Sequence, residues 1–203
     1  RDEAFDLDPV MYLPRPFPYS GGNPVEVGQY LGAVAWLLRE VAPHPGDRVI
    51  GLGAGWGHLS LSLAMLGCRT NAVDLNPASA RLLRTRADAW HVPLEVTQQP
   101  FLQFDDHGLD LVIFFESFHH CDDPVALLRR CRDALVDGGR LVFLAEAIYD
   151  DFYAPWGVRL DGDATYMTRL AGWLELGFRR SFFYRLLLEL GFVVDDATNA
   201  DLG

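Results

Sequence analysis

The stretch from Arg48 to Asp74, RVIGLGAGWGHLSLSLAMLGCRTNAVD, constrains this chain of 203 residues more than any other. It reads as strand, glycine turn, helix, second strand and then one acid. Val49, Ile50 and Leu52 make an apolar run suited to a strand buried on both faces. Gly51, Gly53, Gly55 and Gly57 permit a sharp turn and a close approach of backbone to ligand. The helix expected over roughly His58 to Leu66 directs its unpaired N–H groups at whatever lies above the turn. Asp74 follows Gly53 by 21 residues, the spacing at which an α/β sheet sets a carboxylate at the tip of its second strand to meet ribose hydroxyls. The layout is that of a nucleoside-cofactor site.

The rest of the chain alternates as a doubly wound fold requires. Helical spacing runs from Val25 to Val41 and is stopped by Pro43 and Pro45. Asn76 caps and Pro77 opens a helix to about Trp90; Leu94 to Thr97 is a short strand, and Asp110 to Phe115 a buried one. Asp123 and Pro124 open a helix that closes at Asp137-Gly138-Gly139, with a strand from Arg140 to Ala147. A helix over Phe178 to Leu190 and the start of a strand over Gly191 to Asp195 complete the pattern. This order predicts one domain, three-layer α/β/α, with a mostly parallel sheet, right-handed crossovers and a ligand site where strand order reverses between strands one and four.

A net charge of −11 argues against a nucleic-acid or anionic membrane surface and favours a small-molecule substrate. No apolar run reaches membrane-spanning length and no basic, apolar leader is apparent. Cys68, Cys121 and Cys131 lack paired spacing, which suits free thiols in the cytoplasm. The first 24 residues, with Pro9, Pro14, Pro16, Pro18 and Pro24 among Tyr12, Phe17 and Tyr19, form an arm that is neither helix nor central strand. Such an arm serves either as a lid over the cofactor or simply as cover for the core.

A dinucleotide fingerprint needs glycines at i, i+2 and i+5. From Gly51 the third position is Trp56, and from Gly53 it is His58, so that fingerprint fails in both registers. The alternating Gly53-Ala54-Gly55-Trp56-Gly57 instead resembles motif I of class I S-adenosylmethionine-dependent methyltransferases. The resemblance implies a Rossmann-like fold that binds S-adenosylmethionine and releases S-adenosylhomocysteine. Gly51 to Gly57, Asp74, Leu75, Gln98, Gln99, Glu116 and Ser117 are then the cofactor contacts. Two positions depart from the family pattern. Gly51 stands where an acid usually meets the methionine amino group, and Gln98-Gln99-Pro100 replaces a Gly-Asp that reads the adenine amine.

The strand-four exit, Phe114 to Pro124, FFESFHHCDDP, resembles the same segment of small-molecule methyltransferases. It implies His119 or His120 as general base, with Glu116 as orienter, for transfer to an oxygen or, second, a nitrogen of a polar metabolite or sugar. Base-methylating families carry an Asn/Asp-Pro-Pro-aromatic segment there, unlike Glu116-Ser117-Phe118-His119. A metal at His119, His120, Cys121 and Asp122 is disfavoured, because adjacent residues of an extended chain point apart. The alternative is a non-catalytic cofactor-binding or interaction module of the same fold.

Residues 25–146 are thus the cofactor core and 147–176 a substrate-side insert rich in aromatic and charged groups, leaving 177–203 as the last helix and strand. Tyr19 of the arm, with Tyr153, Trp156 and Arg159 of the insert, are the expected substrate contacts. The family's seventh strand is expected to be absent, truncated or supplied from elsewhere, which favours a partner copy or a longer chain at the sheet edge.

Overall fold

A computed structural model describes residues 23–196 together with Leu13. The central sheet has strands β1 (Arg48–Leu52), β2 (Arg69–Asp74), β3 (Leu94–Gln98), β4 (Leu109–Phe115) and β5 (Leu135–Leu144). Their order is β3-β2-β1-β4-β5 and every pairing is parallel. The reversal falls between β1 and β4, as the sequence pattern required. Helices α1 (Pro24–Val41), α2 (His58–Met65), α3 (Pro77–Trp90) and α4 (Pro124–Ala134) cover the two faces.

Alternation along β4 divides the core. Leu111 and Ile113 point to the side where Val34 and Leu37 of α1 and Leu59 and Leu63 of α2 pack. Val112 and Phe114 point to the other, against Leu127, Leu128 and Cys131 of α4. The apolar run from Leu111 to Phe115 is therefore packed on both faces of the sheet. Helix ends follow the residues that begin them: the side chains of Asn76 and Asp123 accept the N–H groups of Ala78 and Ala126, and proline follows each cap.

Three expectations are corrected. Helix α4 stops at Ala134, not at Gly138, because Leu135 already pairs with Leu109 in β5. Gly138 does adopt the left-handed conformation, φ +78°, but within β5, where the pairing with β4 shifts register. Residues 147–176, with the segment that follows, form β6 (Ile148–Tyr149), β7 (Trp156–Val158), α5 (Gly162–Ala171) and β8 (Leu176–Arg179). The small sheet has order β6-β8-β7, with β6 parallel and β7 antiparallel to β8. The last helix, α6 (Arg180–Glu189), starts after β8, and Gly191 to Asp195 is not a strand. Phe178 is apolar enough for a helix face, but its neighbour Gly177 could not carry a side chain. A Cβ at Gly177 would stand 2.4 Å from the Phe152 ring, so the chain runs there as close-packed strand. The arm over 1–24, including Tyr19, lies outside the described residues apart from Leu13, Asn23 and Pro24.

The small sheet belongs to the main core. Phe118, fully buried after β4, meets Phe114, Phe143, Phe178 and Phe183 at ring-centroid distances of 5.1, 5.1, 5.2 and 5.7 Å. Among the described residues no helix is long and apolar enough to cross a membrane, and the three cysteines are free and buried.

Truncating Phe118→Ala removes the ring on which β4, β5, β8 and α6 converge. It should cost about 3–5 kcal/mol in urea unfolding; a loss under ~1 kcal/mol would mean that the four elements hold together without it.

Candidate active site

A cleft opens at the carboxyl ends of β1 and β4. It is lined by the turn from Gly51 to Trp56, by Tyr30 of α1, Leu59 and Ser60 of α2, and by Ile113, Phe115 and Glu116 at the end of β4. The turn is held from below: the N–H groups of Gly53 and Ala54 donate to the Val73 carbonyl at 2.9 and 3.0 Å. Gly57 has φ +77°, and a Cβ there would stand 1.8 Å from Leu83 Cδ1, so only glycine fits between the turn and α3. At Gly55 nothing lies within 4 Å of a built Cβ, which leaves its outer side open to a ligand.

Asp74 is buried at the tip of β2. Its Oδ2 accepts the Gly55 N–H at 2.6 Å and its Oδ1 accepts the Asn76 N–H at 2.8 Å. The carboxylate thereby joins turn to strand. Leu75 follows it at the surface. Gln98 is the register partner of Asp74, and the Gln99 N–H donates to the Asp74 carbonyl at 3.1 Å. Leu75, Gln98 and Gln99 thus stand beside Asp74 at the strand tips but outside the lining of the cleft.

Sequence reasoning missed Arg86. It is fully buried in α3, donates Nη1–H to the Trp56 carbonyl at 2.6 Å, and sets its guanidinium carbon 5.5 Å from the Trp56 ring centroid. An arginine in an otherwise amphipathic helix gives little warning of this in one sequence. The neighbouring His58 has its pKa lowered to about 4 by burial and by the Arg86 charge, so it is neutral at pH 7.

After β4 the chain enters a 3₁₀ turn, Phe118–His120. Glu146, which follows β5 and was also missed, governs it. Glu146 Oε1 accepts the N–H groups of Ser117 and Phe118 at 2.8 and 2.9 Å, and Oε2 accepts that of His119 at 3.2 Å. His119 Nδ1 lies 2.7 Å from the same Oε2. The orienter of His119 is therefore Glu146, and not Glu116 as expected. An acid directly after an apolar strand, at the edge where ligands bind, was the signal available in the sequence. Ser117 is structural: its hydroxyl donates to the Leu52 carbonyl at 2.7 Å, and its Cβ is what a side chain at Gly53 would strike.

Behind the cleft wall the two histidines join a charged cluster. His119 Nε2 is 3.7 Å and His120 Nδ1 3.9 Å from the Glu175 carboxylate, and Arg159 Nη1 is 3.5 Å from it. His120 Nδ1 donates to the Leu174 carbonyl at 2.8 Å, which fixes its tautomer. Burial alone would lower the His119 pKa. The hydrogen bond to Glu146 and the charges of Glu146 and Glu175 outweigh it, so the net shift is upward. His120 is lowered to about 4 by burial and by the charge of His119. Burial raises the Glu175 carboxyl.

The argument that adjacent histidines point apart is corrected here. In the 3₁₀ turn His119, His120 and Glu175 bring ligand atoms within 4.8 Å of one another, a set able to hold a metal ion. Arg159 already supplies a cation beside Glu175. The expected substrate contacts are not brought together: Tyr153 bonds the Val158 carbonyl and Trp156 is partly exposed on β7. Arg159 joins the cluster through Glu175 and also pairs with Asp161 at 2.9 Å.

Residues 50–143 match the family model of the methyltransferase domain. A ubiquinone biosynthesis O-methyltransferase of Xanthomonas campestris is 32% identical over 127 residues, 61% of this chain and 50% of the relative. Its counterpart in Xanthomonas euvesicatoria is 34% identical over 99 residues, 47% of this chain and 41% of the relative. The chain thus spans about half the length of the curated relatives it matches. Among solved structures, the YcgJ protein of Bacillus subtilis superposes with a TM-score of 0.65 at 18% identity, over 78% of this chain and 67% of its own. Phosphoethanolamine N-methyltransferase 2 of Haemonchus contortus, solved with S-adenosylmethionine, gives 0.64 at 16% identity, over 81% and 37%. At such identities the superpositions speak for the fold alone, and the all-parallel sheet with its switch-point cleft is the fold these solved structures share. In sequence, residues 50–143 are similar to the methyltransferase domain and to part of the O-methyltransferase relatives.

Proposed function

We propose that this domain binds S-adenosylmethionine in the switch-point cleft and transfers its methyl group to an oxygen of a small polar molecule. The observation that carries the reading is the open cradle itself: a glycine turn tied to a buried Asp74, with an aromatic wall where Tyr30 stacks on Phe115 at 5.1 Å. The pieces suit the cofactor. Gly53 to Gly57 admit its backbone-hugging amino-acid end, Asp74 accepts ribose hydroxyls, and Leu75, Gln98 and Gln99 at the strand tips flank the base. When bound, the cofactor supplies a methyl group on a sulfonium, activated for in-line displacement. The names of the Xanthomonas relatives support oxygen as acceptor.

The chain's own residues must align the acceptor and take its proton. His119 is the better base of the two candidates. Its Nδ1–H is held by Glu146 and its raised pKa makes it the stronger proton acceptor; its Nε2 faces Glu175 behind the cleft wall, so the role requires the acceptor to reach it past that wall. His120, with its pKa near 4, is too weak a base to drive the step. The segment 147–176 is the substrate-side element, with Tyr153 and Trp156 offering aromatic faces. Buried free thiols agree with a reducing, cytoplasmic setting.

Methyl transfer is tested by following S-adenosylhomocysteine release with a panel of phenols, catechols and sugars. Product with none of them, despite cofactor binding, would favour the interaction-module reading. His119→Ala should lower turnover about 10²–10⁴-fold while cofactor affinity stays within ~3-fold. A base works unprotonated, so kcat/KM should fall as pH drops through a pKa above 6.5; a limb near 4 would assign the role to His120. Asp74→Ala should weaken S-adenosylmethionine binding by about tenfold or more in calorimetry, and unchanged affinity would remove Asp74 from the site.

A further inference from the structure

Arg86 is the only fully buried arginine among the described residues, and the chemistry proposed above gives it no part. It ends a stripe on α3, Ala78, Leu82 and Arg86, each four residues from the last. The Trp56 ring packs on Ala78 and Leu82, and the guanidinium carbon of Arg86 stands 5.5 Å from its centroid. Leucine at this position, as at 82, would serve packing alone without taking a charge out of water. What arginine adds is a fork of N–H donors on a flat face.

Those donors act on one peptide plane. The Trp56 carbonyl accepts Arg86 Nη1–H at 2.6 Å, and across that plane the Gly57 N–H donates to the Ala54 carbonyl at 2.8 Å. The plane ends in a glycine at φ +77°, where the absent side chain leaves rotation locally unopposed. The two hydrogen bonds supply the restraint that local sterics do not. Held in this way, the Trp56 carbonyl points to α3 and away from the cleft that Trp56 lines. Gly55, one residue earlier, keeps its N–H on Asp74 and its outer side open.

We propose that Arg86 is a positioning residue for cofactor binding: through the Trp56 carbonyl and ring it keeps the glycine turn in its ligand-ready shape before the ligand arrives. The inference rests on the cofactor reading of this cleft. Apparent affinity scales with the fraction of time that a site is competent, so a loosened turn weakens binding although no contact from Arg86 to the ligand is lost.

The test pairs calorimetry with hydrogen exchange on the full chain and on its Arg86→Met and Arg86→Lys variants. Methionine fills the space without donors, whereas lysine keeps the charge and a donor but lacks the flat face. Arg86→Met should bind S-adenosylmethionine and S-adenosylhomocysteine about tenfold or more weakly, the drop expected of a turn competent a tenth of the time. Without cofactor, the amides of residues 53–57 should exchange faster in this variant while those of β1, β2 and β4 keep their protection. Arg86→Lys should recover part of the affinity. Binding by Arg86→Met within ~2-fold of the unaltered chain would overturn the inference. So would faster exchange throughout β1, β2 and β4, which would make Arg86 a support of the fold and not of the turn. Should Arg86→Met fail to fold, Arg86→Lys is read by the same two criteria, with a loss of at least about threefold expected. If the unaltered chain binds neither ligand, the cofactor reading fails and the inference with it. If it binds both and exchange at 53–57 is the same in the variants, the cofactor reading stands and Arg86 alone is removed from it.

Discussion

The carboxylate of Glu146 accepts three backbone N–H groups and one imidazole N–H from the segment that follows β4. An ion so fully bonded and so deeply buried is costly to leave unsatisfied, and moving it would free all four donors at once. Its bonds shape the 3₁₀ turn in which Phe118 points into the aromatic core and His119 into the charged cluster, while Glu116, two residues before the turn, lines the cleft. Three residues of one short segment thus go to three different environments, and one acid just after the neighbouring strand enforces the division.

The cleft and the cluster behind it are electrically different places. The cleft offers backbone amides, aromatic rings and one exposed carboxylate. The cluster holds His119, His120, Glu146, Glu175 and Arg159, most of them buried, at distances from 2.7 to 3.9 Å. Buried charges of this kind seldom add net stability, but removing one member leaves its partners uncompensated. The geometry of the cluster therefore depends on every member being present, and its charges shift the two adjacent imidazoles in opposite directions, His119 up and His120 down.

The parallel sheet was legible because β1 and β4 carry apolar runs on both faces and because Asn76-Pro77 and Asp123-Pro124 announce their helices. The turn was legible for a related reason: glycines required by close packing against Leu83 and Ser117 cannot be replaced without a clash. What the sequence hid were contacts between distant positions. Glu146 and His119 are 27 residues apart, Arg86 and Trp56 30, and His120 and Leu174 54. Nothing local marks such pairs. The C-terminal misreading had the same source, since Leu176 to Arg179 has no strand signal of its own and becomes one only by lying between β6 and β7.

The pairing of Ile148 and Tyr149 with Phe178 and Arg179 has a bearing on how this chain could change over time. It clasps the two ends of the intervening segment at the backbone, next to the buried Phe178. A span anchored in that way behaves as an interchangeable cassette. Its middle can lengthen, shorten or exchange aromatic for polar residues while the hydrogen bonds at its base, and the parallel sheet beneath, keep their register.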